Sequence, residues 1–205
     1  MNKPALVLLS ALALAWPGLA VRAERADRGK PMNIESDTLR YDDQKQLSIF
    51  TGNVLMSKGT IAMRGARLEV RQDADGNQFG VLTAEPGKRA FYRQKREGLD
   101  EYIEGEAEVV EYDGKADRVR LVRRAEFRRL RGAVVNDQMT GSVIVYDNTN
   151  DTFSVDGQSA GVPSASVGGR VRAMLTPKPA ASAASAPVAP PASLRSSTTL
   201  GGESR

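Results

Sequence analysis

The chain has 205 residues, with no Cys and no His, and its 29 Lys and Arg against 25 Asp and Glu give a formal net charge of +4. This composition excludes disulfides, thiol nucleophiles, Cys/His zinc sites and every Ser–His or Cys–His catalytic pair. Two of the basic residues lie in the first 23 positions, and the remainder is too evenly charged to favour a nucleic-acid partner.

Residues 1–23 have the pattern of a secretory signal peptide. A positive charge precedes the apolar run Pro4–Ala15, Pro17 then interrupts any helix, and small-residue cleavage patterns end at Ala20 and Ala23. A retained membrane anchor is the alternative, but the run is shorter than the ~20 apolar residues that a span needs. We therefore predict an exported protein whose signal peptide is removed.

From residue 31 to 175 the apolar residues alternate with a period of two, which predicts β-strands. Clusters of Gly, Asn, Asp and Pro separate the strands. Short strands at close, even spacing predict one all-β domain, after a flexible N-terminus at 24–30. The apolar pairs on one face are Leu39/Tyr41, Leu47/Ile49, Ile61/Met63, Leu68/Val70, Phe79/Val81, Val119/Leu121, Val143/Val145 and Phe153/Val155.

A loose internal repeat runs through this domain. Leu39–Asp42, Val110–Asp113 and Ile144–Asp147 share the order apolar, any residue, Tyr, Asp, and each is followed after a polar turn by another apolar pair. A strand–turn–strand unit cannot bury its apolar face alone. The repeat therefore predicts units stacked along one axis.

Residues 176–205 form a tail rich in Ala, Pro and Ser, without periodicity. Such a composition cannot offset the entropy lost on ordering, so we predict a disordered tail. One last strand is expected just before it, within 167–175.

Two acidic patterns are candidates for chemistry. The segment 73–77 resembles the start of a calcium loop, but its twelfth position is Ala84 instead of Glu, which favours a hairpin turn. Glu104, Glu106 and Glu108 alternate along one strand face, either as catalytic carboxylates or as a solvated surface. Because no P-loop, GxGxxG, GxSxG or HExxH motif occurs, we predict no catalytic residue, no metal site and no cofactor.

An arginine-rich stretch spans residues 118–131. It is either a charged outer face that discourages edge aggregation or a surface that contacts phosphates or acidic sugars. With few aromatic residues nearby, it is not a stacking platform for nucleic acid. The candidates for phosphate or sugar contact are Arg118, Arg120, Arg123 and Arg124.

Several short strings resemble the LptA (OstA-like) family of periplasmic lipopolysaccharide transport proteins. The resemblance covers roughly residues 31–155 and the preceding signal peptide, whereas the arginine-rich stretch and the tail depart from the family pattern. The most specific strings are IESD and FTGNV. In chain order, the matching strings are Pro31–Asp37, Phe50–Val54, Lys58–Ile61, Phe91-Tyr92, Glu104-Gly105 and Tyr112.

The resemblance implies an elongated, twisted antiparallel β-jelly roll, open at both ends, in the periplasm of a Gram-negative envelope. It implies lipopolysaccharide binding and a place in the bridge from inner to outer membrane, hence in outer membrane biogenesis. The implied partners are an LptC-like inner-membrane component, an LptD-like outer-membrane component and further copies of the chain, stacked head to tail. Exposed edges at 32–37 and from 143 onward are the expected joining strands.

Lipid acyl chains need an apolar interior slot, and one face of the alternating strands provides it. Methionine suits a slot in which chains slide, since its side chain adapts to irregular shapes. For each lining residue, ordinary core packing is the alternative. The expected lining residues are Met32, Ile34, Ile49, Met56, Ile61, Met63, Phe91, Tyr112, Leu121 and Val143.

Three other functions stay open at this point. A structural β-filament protein of the envelope would stack without binding lipid. An LptC-like component would keep its N-terminal helix as an anchor. A hydrolase would use Glu104 and Glu106 as paired carboxylates.

Overall fold

The computed structural model describes residues 27–96, 98–158 and 169–177, and the regular elements in these ranges are all β-strands. None of the residues described forms a helix long and apolar enough to cross a bilayer. The expected signal peptide and the expected tail from residue 178 lie outside these ranges. The strands are β1 Met32–Glu35, β2 Thr38–Asp42, β3 Leu47–Lys58, β4 Ile61–Gln72, β5 Gln78–Thr83, β6 Ala90–Lys95, β7 Glu101–Ala107, β8 Val109–Asp113, β9 Arg118–Arg131, β10 Val134–Asp147, β11 Thr152–Asp156 and β12 Arg172–Leu175.

Strands β3, β4, β9 and β10 each run through two sheets, so the two walls of the fold have these four strands in common. All the pairings are antiparallel, which confirms the predicted β-jelly roll. Sheet I contains, in order, β2, 47–51 of β3, 67–72 of β4, β5, β8, 118–122 of β9, 143–147 of β10 and β11. Sheet II contains β1, 54–58 of β3, 61–65 of β4, β6, β7, 125–131 of β9, 134–141 of β10 and β12.

The chain passes between the sheets along one bent edge, which we call the spine. β-Bulges at 51–54 and 141–143 interrupt the register there and bend the strands. Gly52 has a φ of 82°, and a Cβ on it would lie 2.1 Å from Oδ2 of Asp37, so this corner requires glycine. The spine residues are 36–37, 52–53, 66, 84–89, 108, 123–124 and 142.

The opposite edge, which we call the seam, has no strand running across it. Four turns end the strands of sheet I along this edge: 43–46, 73–77, 114–117 and 148–151. The connections that end the strands of sheet II are 59–60, 98–100 and 132–133. In the part of the chain that the structure describes, the two walls are therefore joined covalently at the spine and by side-chain contacts at the seam.

Both ends of the stack carry strands with a single partner. Among the strands described, β1 and β2 pair only with β3, and β11 and β12 pair only with β10. Eight strand levels separate the two ends, which gives a stack roughly 34 Å long at the usual spacing between strands. The fold is thus elongated and open at both ends.

The Tyr-Asp repeat predicted from the sequence forms three equivalent hairpins of sheet I. β2, β8 and the second half of β10 each end in this pair, and a seam turn follows. The carboxylates of Asp42, Asp113 and Asp147 each accept a backbone N–H of that turn at 2.8 to 3.1 Å. The aspartate therefore shapes the turn, while the tyrosine lies at the seam end of the inner face.

Between the two walls lies an aliphatic and aromatic cluster, built from the inward side chains of both sheets. Its members are at most 4% exposed, because alternate residues of every paired strand point into the same space. The buried residues of the cluster are Val54, Met56, Ile61, Met63, Leu68, Leu82, Ala90, Tyr92, Ile103, Ala107, Val110, Tyr112, Val119, Leu121, Ala125, Phe127, Met139, Ile144 and Tyr146.

Candidate functional site

Seven of the ten predicted lining residues face the interior between the two sheets. Met56, Ile61, Met63, Tyr112 and Leu121 belong to the buried cluster. Two more, Met32 and Ile34 of β1, are partly buried and pack against it at the end of the stack where the chain begins. The interior therefore brings together side chains from five strands, from β1 at one end of the stack to β9 at the sixth of its eight levels.

The other three predicted lining residues lie outside the interior cluster, which corrects the expectation for them; Ile49 and Phe91 face outward, whereas Val143 is buried at 5% exposure away from the cluster. Ile49 is paired with Arg40 and Glu69, whereas its neighbour Phe50 packs against the cluster. Phe91 lies under the guanidinium of Arg64, 4.4 Å from the ring centroid.

The third residue, Val143, is paired with Val122 outside the cluster, and Ile144 takes the inward place instead. The bulge at 141–143 explains this. Residues 123 and 124 of β9 oppose the single residue 142 of β10, and beyond this point the inward side chains of β10 change from odd to even positions, from Met139 to Ile144 and Tyr146.

Sequence reasoning missed most of the aromatic side chains of the interior. Phe127 packs against Tyr146 and Phe153, with ring centroids 5.7 and 5.5 Å apart. Burial raises the pKa of Tyr112 to about 12, and it raises the pKa of Tyr146 as well, so these phenols stay protonated. The Tyr-Asp repeat was the signal that could have placed Tyr146 inside.

The seam, by contrast, is bridged by polar and charged groups. The guanidinium of Arg96 in sheet II pairs with Asp151 in a turn of sheet I, with Nε–H donating to Oδ1 at 3.1 Å. The same guanidinium pairs with Glu101 of β7. Lys58 of β3 donates through Nζ to Oε1 of Gln78 on the opposite wall, at 3.0 Å. These contacts hold the walls together on the side where no strand does.

Residues 27–30 are also part of the seam, although the sequence predicts a flexible segment there. The carboxylate of Asp27 is 9% exposed and accepts hydrogen bonds from Thr60 and Gln94 in sheet II. Arg28 donates to the backbone carbonyl of Lys115 in sheet I, at 2.7 Å. This short turn therefore contacts both walls, and the ordered chain begins before residue 31.

We expect the ion pairs of Glu101 with Arg96 and Arg131 to make the free energy of unfolding depend on pH. Hydrogen bonds from Arg131 and Arg96 lower the pKa of Glu101 below its ordinary value of 4.5. A lowered folded-state pKa stabilises the fold above the unfolded value, and this contribution is lost as the pH falls through the folded value. Between about pH 5 and pH 3, the free energy of unfolding should therefore fall more steeply for the native chain than for Glu101→Gln.

Urea unfolding at several pH values measures this difference. Glu85→Gln is the matched control, because Glu85 lies at the spine and is bonded only to the exposed Lys88 among the residues described. If the free energy of unfolding changed with pH in the same way for the native chain and for Glu101→Gln, the lowered pKa of Glu101 would be contradicted.

The four arginines proposed to contact phosphate are already bonded within the fold. Arg118 pairs with Asp147 at 3.3 Å, Arg120 with Glu111 at 2.9 Å and Arg123 with Glu108 at 2.8 Å. Arg124 donates to the backbone carbonyl of Gly87 at 3.1 Å. The four therefore satisfy carboxylates and a carbonyl of neighbouring strands and loops, as the charged-face interpretation describes.

The acidic run of β7 lies in a similar network on the outer face of sheet II. Glu104 pairs with Arg93 at 2.5 Å, and Glu106 pairs with Arg128 and Arg89, both at 2.6 Å. Guanidinium groups thus hold both carboxylates, which favours a charged surface over a catalytic pair.

The calcium-like segment 73–77 is a closed turn of β4 and β5. Oδ1 of Asp73 accepts the backbone N–H groups of Asp75 and Asn77 at 3.0 and 2.8 Å. The carboxylate is used to hold its own turn, as the hairpin interpretation requires.

The interior cluster is accessible at the end formed by the first strands. A cleft of about 210 Å³ lies there, lined by inward residues of β1, β2, β3 and β4 that include Met32, Ile34 and Phe50. Tyr41, on the same face, is 55% exposed, and Leu39 is 60% exposed. At the other end, β12 exposes Met174 and Leu175. Apolar surface is therefore available where the stack ends.

Comparison with known proteins gives consistent matches. The family described as "LptA/(LptD N-terminal domain) LPS transport protein" matches residues 33–152. The lipopolysaccharide export system protein LptH of Pseudomonas aeruginosa is 26% identical over 171 residues, which cover 82% of this chain and 87% of LptH. The corresponding LptA of Escherichia coli K12 is 27% identical, over 77% of this chain and 83% of LptA.

The fold also has a solved counterpart. The crystal structure of Pseudomonas aeruginosa LptH, described as the periplasmic component of a lipopolysaccharide transport device, superposes with a TM-score of 0.64 at 21% identity. The match covers 74% of this chain and 99% of that one.

Proposed function

Since the chain belongs to the family of LptA and LptD N-terminal-domain LPS transport proteins, we propose that it binds lipopolysaccharide with the lipid A acyl chains between its two sheets. Its role in lipopolysaccharide transport agrees with the names of its relatives. In this proposal it forms a periplasmic segment of the bridge from the inner to the outer membrane, and it acts as a carrier rather than as an enzyme.

The acyl chains dominate the energetics of such a carrier. At about 0.8 kcal/mol per buried CH₂, exposing an acyl chain of a dozen carbons to water costs a free energy on the order of 10 kcal/mol. A surface ion pair to a phosphate is worth about 1 kcal/mol or less. A protein that moves this lipid through water must therefore shield its chains, and the polar head can stay outside.

The observation that carries the proposal is the apolar interior, which extends over the whole stack and reaches the surface at its end. Inward apolar residues from β1 to β11 form one cluster. The exposed Leu39 and Tyr41 continue that face to the edge. The proposed lining residues are Met32, Ile34, Met56, Ile61, Met63, Tyr112 and Leu121.

The single-partner strands at both ends support the proposed bridge. Exposed edges pair readily with other chains, and head-to-tail contacts of this kind do not close into a ring. We propose that β1 and β2 join one neighbour and β11 and β12 the next, each neighbour being an LptC-like component, an LptD-like component or another copy. The signal-peptide pattern at 1–23 and the periplasmic LptH support a periplasmic location.

A structural β-filament protein is the second candidate, because the same edges would stack around an ordinary packed core. Photocrosslinking in cells that make lipopolysaccharide separates the two. A photoreactive residue replaces Met63 or Tyr112 of the interior, and Arg120 of the outer face provides the control.

We expect lipopolysaccharide adducts from positions 63 and 112 and none from position 120. If the exported, folded protein gave no adduct at either interior position, the transport proposal would fail and the filament interpretation would stand.

A further inference from the structure

Three hydrogen-bond donors converge on one carboxylate at the seam. The backbone N–H of Thr60 donates to Oδ1 of Asp27 at 2.7 Å, and the Thr60 hydroxyl donates to Oδ2 at 2.6 Å. Nε2 of Gln94, a side chain only 4% exposed, donates to the same Oδ2 at 3.2 Å. This is the geometry of an anion site, filled here by a side chain of the protein itself.

The turn that carries Thr60 is shaped for close approach of an anion. Gly59 has a φ of 59°, and a Cβ at this position would lie 2.1 Å from Oδ1 of Asp27. Any side chain at 59 would therefore block the oxygen that Thr60 binds. The bare backbone leaves room for an oxygen of a carboxylate or of a phosphate.

A buried positive charge also acts on the Asp27 carboxylate. Lys58 is 5% exposed, and in the ranges described its Nζ bonds only to two neutral oxygens, the Lys30 carbonyl at 2.7 Å and Gln78 Oε1. Burial lowers the pKa of Lys58, and the charge of Asp27 opposes this effect. A buried ammonium without an ion pair is costly, which gives the site a reason to hold an anion.

A cleft of about 380 Å³ opens directly onto these groups. It lies between the two walls at the seam. Its lining includes Asp27, Thr60 and Gln94, the cations Arg28, Lys95 and Arg96, and one further carboxylate, that of Asp117; Lys58 lies outside the lining. Its size falls within the range of small-molecule sites in proteins, which is about 300 to 1,000 Å³. A sugar phosphate therefore has space beside the donors without entering the apolar interior.

We propose that Thr60 and Gln94 form a binding site for a phosphate group of a phosphorylated glycolipid head, with the buried charge of Lys58 favouring an anion there, and that the Asp27 carboxylate occupies this site when no lipid is bound. The inference rests on the proposed function, which places the acyl chains inside and the head at the seam. Lipid binding would then exchange one anion for another. Asp27 would leave, and the contact of residues 27–30 with both walls would be released at the same step.

The test compares two lipids that differ only in phosphate. Binding of a lipid A bisphosphate and of the same lipid without phosphate is measured for the native chain, for Asp27→Ala and for the charge-matched control Glu85→Ala. We expect Asp27→Ala to bind the bisphosphate about tenfold more tightly, the equivalent of one charge-assisted hydrogen bond. The lipid without phosphate should show no such gain, and Glu85→Ala should match the native chain for both lipids.

A second measurement does not depend on lipid. Inorganic phosphate should shift the amide resonance of Thr60 in Asp27→Ala and not in the native chain, and Thr60→Val in the Asp27→Ala background should weaken that effect. If Asp27→Ala fails to fold, Asp27→Asn removes the charge with little change of shape and is used instead.

The outcomes separate this proposal from the function on which it rests. An equal gain for both lipids would mean that Asp27 only fastens the seam, and the anion site would be refuted. The same holds if the variant shows no gain for the bisphosphate. If the native chain bound neither lipid while phosphate still shifted Thr60 in Asp27→Ala, the anion site would stand and the lipid-carrier function would fail.

Discussion

Cross-linking the seam is expected to weaken lipid A binding strongly. In the chain with Arg96→Cys and Asp151→Cys, a short bismaleimide would tie the two walls where an ion pair now joins them. A lipid whose acyl chains lie between the sheets and whose head lies outside can enter from the side only if the two sheets separate at the seam. We expect the cross-linked protein to bind lipid A at least about tenfold more weakly than the same variant blocked with N-ethylmaleimide.

The spine offers a control of the same chemistry. Glu108 and Arg123 form an ion pair at 2.8 Å on the covalently continuous edge, and cysteines placed there can be cross-linked in the same way. Because the chain contains no Cys, each variant has a single pair of thiols. Lipid binding should survive the cross-link at the spine. Equal binding by the seam-linked protein would show that lipid enters only through the ends of the stack.

The second large effect is expected on stability, from Phe127→Ala. Phe127 is 2% exposed and its ring packs against Tyr146 and Phe153 in the centre of the interior. Removing a buried phenyl ring typically costs about 3–5 kcal/mol, from lost burial and from the cavity left behind. Because a domain of this kind is stable by only about 5–15 kcal/mol, the loss should be visible as a lower urea midpoint at unchanged slope.

Phe91→Ala is the matched variant on the outer face. Phe91 is half-buried and is covered by Arg64, so its truncation should cost about 1–2 kcal/mol. The pair tests the assignment of inner and outer faces directly. Equal losses for the two variants, or a larger loss for Phe91→Ala, would contradict the orientation of β6 and β9.

The sequence was a good guide to the strands and to most of the interior because both depend on a period of two. Leu68, Val119 and Leu121 were assigned to one face from alternation alone, and they are buried together. The Tyr-Asp repeat likewise predicted stacked hairpins, since a repeated local unit produces a repeated structure. Alternation and the repeat are local patterns, so they can be recognised in the sequence without knowing which strands pair.

The failures have a different origin. The inward position of Ile144 instead of Val143 depends on a bulge, which no composition signal marks in this chain. The role of Arg118 and Arg120 depends on which carboxylates lie across the sheet, and that requires the strand register. The place of Asp27 depends on contacts with Thr60 and Gln94, more than thirty residues away. Non-local contacts of this kind cannot be read from a single sequence.

The two walls have four long strands in common and the same number of strand levels, which has a consequence for how the interior can change in size. Each strand level contributes one rung to both sheets at once, so an added hairpin lengthens the interior by two rungs, about 10 Å, and leaves its cross-section unchanged. Width is set by the bend at the spine, and length by the number of rungs. The length of the interior therefore changes only in steps of one strand spacing. Copies of the chain that pair through their end strands would extend it in the same steps, and the residues that line its cross-section would stay the same in kind.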